Sequence, residues 1–439
     1  MADSIRPASP PLLLRWQGLL GHGGGPLAQR LVPIAGLTLC ALLAGLPFLT
    51  RAGMSLLILA CGLLWLLLAL RRPPGGIGAL HGWILAILAV ALLATGFSPV
   101  PVEATKGLLK LVSYLGVYAL MQELLVQAPA WWDRLVAALL GGQLLASVIG
   151  LRQLYADTSA LARWADPNSV SEGTVRIYST LGNPNLLGGY LLPILPLAVA
   201  ALLRWQGWPS RLFALSALGL GTAALVLTYS RGAWMALVVQ AAVVLLLLAL
   251  GLTRSWPLLW RRLVPLLLLL LATALLVVLV TQVEPLRVRV MSLVAGREDS
   301  SNNFRINVWL AALDMIQARP WLGIGPGNEA FNRIYPLFQQ PKFNALSAYS
   351  IPLELAVEAG IPGLLAGVGL VLTSLREGLR SWNAAGNDAL PALAALAVIA
   401  GLAVQGLTDT IFFRPEVQLS AWFSVATLAA ASQRRRLQG

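Results

Sequence analysis

Histidine and cysteine are almost missing from this chain, and charge of either sign is scarce. Two histidines (His22, His81) and two cysteines (Cys40, Cys61) are scattered over 439 residues. That scatter offers no metal-ligand spacing and no disulfide framework. Both cysteines lie inside apolar runs and read as small buried thiols. No metal and no cofactor is expected. Charged residues make up 11% of the chain, where a soluble domain carries about 25%, so a soluble globular protein is excluded. The first 30 residues also lack an early apolar core before a cleavage site and are not expected to be a signal peptide. The GHGGGP stretch at 21–26 reads as disordered lead-in, with His22 incidental to it.

What fills the chain instead is apolar, at 58% of residues, with a mean hydropathy of +0.76. The apolar residues come in runs of about 20, the length that crosses a hydrocarbon core of about 30 Å as a helix. Such runs lie near 31–50, 52–70, 77–97, 107–127, 133–150, 185–203, 211–229, 232–250, 263–281, 351–373, 390–408 and 416–431. The fifth is weak and the last is short and polar. The fold class that follows is all-α, a polytopic membrane helix bundle of about twelve transmembrane helices.

An even number of spans puts both termini on one side, and basic residues choose the side. With the N-terminus inside, the cytoplasmic pieces hold sixteen Lys or Arg and the short external pieces seven. The net charge of +13 is therefore an orientation signal, and no nucleic-acid partner is expected, since no basic helix or groove module stands outside the membrane. The expected organisation is a cytoplasmic disordered tail at 1–30, nine spans over 31–281, a partly helical periplasmic loop at 282–350, three spans over 351–431, and a cytoplasmic basic tail at 432–439. A second external segment is expected at 151–184. The location is a cell inner membrane, with membrane lipid as the first partner.

Loops on a rigid bundle are where binding groups sit, and several polar groups stand out near the external side. Arg231, in TYSRGAW, lies between two apolar runs, where a charge is costly unless paired. Its planar fork of donors suits phosphate. The alternative is a snorkelling residue that holds a tight hairpin. Arg305 and Trp309 are four apart in NNFRINVW, on a helix expected from Asn303 to Ala318 with Phe304, Val308, Ala311 and Met315 on one face. They suit an anionic headgroup beside an apolar or sugar surface, or a solvated Arg and an interface anchor. RPWLGIGPGNEAF, from Arg319, has glycines that could expose backbone N–H groups to an anion, or form an ordinary turn. It lacks the context of a dinucleotide site and the Lys of a Walker loop.

In SAYSIPLELAVEAGIPG, Glu354 and Glu358 share a helix face. They suit an acid/base or ion pair, or simply favour the positive helix end. Gly360, Pro362 and Gly363 would break that helix, and broken spans often line cavities. VRIYSTLGNPNLLGGY brings Arg176, Tyr178, Asn183 and Asn185 beside small residues, as at a cavity mouth or a capped helix start. Lys110 and Glu123, in the fourth span, would reach toward opposite ends, and His81 would be an interface residue. Arg231 and Arg305 are expected to converge on one external anion site, and Arg176 is a further candidate for binding an anion or diphosphate.

In their order around a long loop, these segments resemble the O-antigen ligase and polymerase superfamily of bacterial membrane glycan enzymes. The likeness spans roughly residues 30–430 and is greatest to the cyanobacterial branch named for inorganic carbon (bicarbonate) transport. The resemblance implies ten to twelve helices with a large periplasmic loop. For the ligases it implies an undecaprenyl-diphosphate-linked glycan as substrate, without nucleotide or metal. It implies an arginine in a SRGxW-like motif, here Arg231, and another at the start of the loop helix, here Arg305. It also implies a histidine before the span after the loop, in an HNxxLxxxxExGxxG-like pattern. This chain reads YSIPLELAVEAGIPG there, with Tyr349 at the histidine position, Ser350 at the asparagine and Glu358 at the glutamate. Tyrosine, with a pKa near 10, is a poor general base.

Three functions fit this reading. One is inorganic carbon transport, or a transport-associated role, with a small anion at the arginines. The second is a glycan transferase or polymerase with altered chemistry. The third is a non-catalytic binder of a lipid-linked glycan or another partner.

Overall fold

The structure is a computed structural model that describes residues 26–71, 76–155, 176–282, 284–291, 296–384 and 386–438. The lead-in with His22, most of the expected tail at 1–30, and residues 156–175 of the second loop lie outside the described residues. The described chain is helical, with no strand among the described residues. Its spans are α1 (Pro26–Gly45), α2 (Arg51–Arg71), α3 (Ala79–Gly96), α4 (Pro101–Gln127), α5 (Trp131–Arg152), the pair α6 (Pro184–Leu191) and α7 (Ile194–Arg204), α8 (Trp208–Leu227), α9 (Arg231–Leu252) and α10 (Leu258–Gln282). The loop carries α11 (Glu284–Met291), α12 (Ser300–Ala318) and α13 (Asn328–Ile334), before α14 (Ile351–Asn383), α15 (Ala389–Gln405) and α16 (Pro415–Gln438).

Ten of these spans are long and apolar enough to cross a membrane, with α6 and α7 counted as one. The expected first span, α1, is apolar over Arg30–Gly45, and the expected twelfth, α16, is too polar for that measure; both pack into the same bundle. For α16 the reason is burial. Val417, Leu419, Phe423, Ala426 and Leu428 are buried beside Gln418, Ser420, Ser424 and Thr427. A helix that faces protein all round needs no uniformly apolar surface. Its hydroxyls Ser424 and Thr427 bond back to carbonyls of their own helix. The helix runs on through the segment expected as a basic tail, where Arg434 pairs with Asp388 and Arg435 with Glu377.

The central span is α6–α7, 83% buried over its apolar window, while α10 at 6% is the most lipid-facing. Around this centre α7 packs on α8 and α15, α9 runs along α15, and α4 packs on α16. The loop α11–α13 gathers at one end, called here the loop end.

The loop is tied down by the break expected in α14. At Gly360 (φ 69°, ψ −173°) the helix opens, which frees carbonyls that must find new partners. Ile324 N–H donates to the Val357 carbonyl (2.9 Å), Gly325 N–H to that of Glu358 (2.9 Å), and Ile361 N–H to that of Pro320 (2.8 Å). A Cβ on Gly360 would lie 2.4 Å from the Trp321 carbonyl carbon, so only glycine admits this approach. The apolar face of α12 (Val308, Ala311, Met315) is buried with Ile324, Phe331, Tyr335 and Val357, with Phe304 packed partly against them. That is the face the sequence spacing selects.

Candidate functional site

The hairpin between α8 and α9 is only a few residues long, and Tyr229 in it takes a left-handed φ of 50°. Such strain in a non-glycine residue persists only where the surroundings impose it. The hairpin puts Arg231 at the first position of α9 at the loop end, and its Nη2 donates to Asp299 Oδ1 at 3.0 Å. Both are buried, at 8% and 2% exposure. Asp299 caps α12 at the same time, accepting from the N–H of Asn302 at 2.9 Å. One carboxylate thus fixes the loop helix to the membrane arginine.

On the first turns of α12, Arg305 Nε donates to the Thr408 carbonyl (3.0 Å) and Nη1 to Ser301 Oγ (2.9 Å). Burial holds its pKa below the usual arginine value, with Asp409 opposing that effect and Arg231 adding to it. The two guanidiniums therefore sense each other. Asp409 lies in the turn between α15 and α16, where its Oδ1 accepts the N–H of Thr410 at 2.8 Å. Burial raises its carboxyl above the usual range and Arg305 opposes that rise. Before α6, Arg176 Nε donates to the Thr228 carbonyl (2.8 Å) and Nη2 to Asn185 Oδ1 (2.7 Å).

These pieces enclose a cavity of about 370 Å3 lined by Arg176, Asn185, Arg231, Arg305, Trp309 and Asp409, among others. Three guanidiniums and one carboxylate face it, with Asp299 behind Arg231. The indole Nε1 of Trp309 is buried without a hydrogen-bond partner among the described residues. A desolvated donor of that kind is costly to leave unmet. The cavity can hold a compact polyanion, with Met235 and Ile306 supplying apolar wall.

Five of the residues singled out from the sequence thus meet in one cavity: Arg176, Arg231, Arg305, Asn185 and Trp309. Five others do not line it. Asn183 caps α6, accepting from the N–H groups of Asn185 and Leu186. Tyr178 is held by its backbone N–H to Gln153. Glu358 accepts the Gly327 N–H (2.8 Å) and Glu354 the Ala348 N–H, so both carboxylates fasten the loop to α14. Among the described residues neither pairs with an arginine. Tyr349, at φ 49°, packs edge-on against Phe304, and burial pushes its phenol further up.

In the glycine-rich run after Arg319, the N–H groups of Ile324, Gly325 and Gly327 go to α14 and that of Gly323 to the Arg319 carbonyl, so they are not offered to an anion. Lys110 reaches the Phe413 carbonyl near the loop end (3.1 Å), and Glu123 accepts from Gln127 toward the other. His81 lies between the Gly78 N–H and Gln122, far from the cavity.

Sequence reasoning missed Asp299, Thr408 and Asp409. Asp299 carried a usable signal, since Asp three residues before Asn302 at the start of a periodic apolar run is an N-cap pattern. Nothing local marks Asp409 in GLTDT as facing Arg305.

No curated protein matches the chain. Residues 212–368, roughly a third of it, match the O-antigen ligase family, a segment that includes Arg231, Arg305 and the whole loop. The match is to the ligase family as a whole and carries nothing particular to the inorganic-carbon branch, so over this segment the chain is similar to O-antigen ligases.

Proposed function

We propose that this protein binds the diphosphate of a polyprenyl-linked saccharide in the loop-end cavity and transfers the saccharide to a hydroxyl acceptor. The observation that carries the reading is the convergence of Arg176, Arg231 and Arg305, from three distant parts of the chain, on one cavity. A diphosphate presents two ionised groups with several oxygens, which matches forked guanidinium donors. The same donors stabilise the charge that develops on a departing diphosphate, the dominant electrostatic contribution to such a transfer. Trp309 beside them offers a flat apolar face to sugar or isoprenoid.

We further infer that the loop end faces the periplasm. The excess of Lys and Arg falls on the other side of the bundle, where Arg204, Arg434 and Arg435 pair with Asp133, Asp388 and Glu377.

An inorganic-carbon transport role draws on the cationic cavity alone. Inward from it, Gly401 is packed against Gln240, and Val244, Leu247, Leu393, Leu396 and Ala397 fill the α9–α15 contact. That packing favours a closed binding cavity over a conduit.

Farnesyl diphosphate titrated onto the purified protein tests the binding. Arg305→Lys keeps charge but loses the fork, and losing one charge-assisted hydrogen bond of about 1.5–3 kcal/mol weakens affinity roughly ten- to hundred-fold. Unchanged affinity in both Arg305→Lys and Arg231→Lys would sink the reading.

A further inference from the structure

We propose that Asp409 is the general base of this site, taking the proton of the acceptor hydroxyl in the role that the ligase pattern gives to a histidine. The inference rests on the transferase reading above. It begins from a vacancy in the chemistry. Tyr349 occupies the histidine position, and its phenol is raised by burial, so it is protonated at neutral pH and cannot accept a proton. His81 is remote and held by Gln122 and the Gly78 N–H. Glu354 and Glu358 are engaged with the loop backbone, and neither lines the cavity.

Asp409 is the one carboxylate among the described residues that line the cavity. Asp299 is turned to Arg231 and the cap of α12. Asp409 is 8% exposed and fixed in its turn by the Thr410 N–H. A carboxylate offers about four acceptor positions, so its bonds from the Thr410 and Ile411 N–H groups still leave room for a substrate hydroxyl. Arg305 beside it favours the ionised form while burial raises its affinity for a proton, which makes it a stronger base than an exposed aspartate. The charged and titratable groups that act on it are Arg305 and Tyr349, while Arg176 and Arg231 line the same cavity and Asp299 acts on Arg305. Asp409 also lies outside the segment that matches the ligase family.

The step balances without any co-reactant. The acceptor hydroxyl oxygen bonds to the anomeric carbon as its proton passes to the Asp409 carboxylate. The bond from that carbon to the phosphate oxygen breaks, and its electron pair leaves with the polyprenyl diphosphate, whose charge the arginines receive. Water at the cavity mouth then takes the proton from Asp409.

The test uses the full chain in liposomes, with undecaprenyl-diphosphate-linked N-acetylglucosamine as donor, a free disaccharide as hydroxyl acceptor and farnesyl diphosphate as binding probe. For Asp409→Asn we expect farnesyl diphosphate affinity within about threefold of the parent and release of undecaprenyl diphosphate down by at least a hundredfold. Asp409→Glu should recover part of the rate with a displaced acid limb in its pH profile, and Asp409→Asn should lose that limb. If Asp409→Asn binds and turns over like the parent, the assignment is wrong. If it loses binding and turnover together, Asp409 only positions Arg305 and the assignment again fails. If the parent binds farnesyl diphosphate but releases nothing, the binding reading stands and Asp409 has no reaction to serve. If the parent does not bind the probe at all, the proposed function falls first.

Discussion

Replacing Asp299 by asparagine separates the two jobs that this side chain performs. Asparagine caps a helix about as well as aspartate, so the bond to the Asn302 N–H survives and only the charge facing Arg231 is lost. The pair is 3.0 Å apart, with side chains exposed by 7% and 2%. Breaking a buried pair from one side costs up to about 3–5 kcal/mol, because the remaining charge stays in a low-dielectric site, and any other contact of Arg231 lowers that figure. Asp299→Ala should cost about 1 kcal/mol more, the value of the cap.

The measurement is reversible unfolding in mixed detergent–SDS micelles, followed by tryptophan fluorescence, for Asp299→Asn, Arg231→Met and the double variant. Close buried charge pairs couple by about 1.5 kcal/mol or more, so the double variant should lose less than the two single losses added together. A coupling under about 0.5 kcal/mol, the scatter of independent sites, would refute the claim that this pair fixes the loop helix to α9.

Gly360→Ala should destabilise by more than about 1–3 kcal/mol, the cost of its backbone conformation alone, since the added Cβ also meets the Trp321 carbonyl carbon at 2.4 Å. Gly62→Ala in α2, whose Cβ would meet nothing within 4 Å, should be neutral or stabilising by up to about 1 kcal/mol in the same assay. Tyr349→His should preserve or raise transfer, and a tenfold loss of transfer in that variant would contradict this. Asp409 binds its proton more tightly folded than unfolded, so its contribution to stability is full below the unfolded pKa of about 3.9 and is lost as pH rises through the folded value. Asp409→Asn should remove that part of the slope, and unfolding midpoints measured across the range will show whether it does.

The helices could be read in the sequence because lipid imposes a one-dimensional rule. A run of about 20 apolar residues, as in Arg231–Leu252, has to satisfy its backbone internally and becomes a helix wherever it sits. The buried face of α12 and the break at Gly360 were legible for similar reasons, one from 3.6-residue spacing and the other from Gly and Pro inside an apolar run. The helix α16 was weakly marked, because burial against protein lets it carry Ser, Thr and Gln. Arg231 announced itself through the cost of charge beside a membrane, and Arg305 through its place four residues before Trp309 on a periodic helix.

What no local pattern contained was their company. Asp299 meets Arg231 across 68 positions, and Arg305 meets the Thr408–Asp409 turn across about a hundred. Glu354 and Glu358 look like a reacting pair in sequence, yet the loop that enters the α14 break takes both as acceptors for its backbone. Apolar length and spacing act along the chain, so the sequence by itself determined the bundle. Pairing of charges depends on which helices pack together, so only the tertiary structure decided which carboxylates hold the loop and which one faces the cavity.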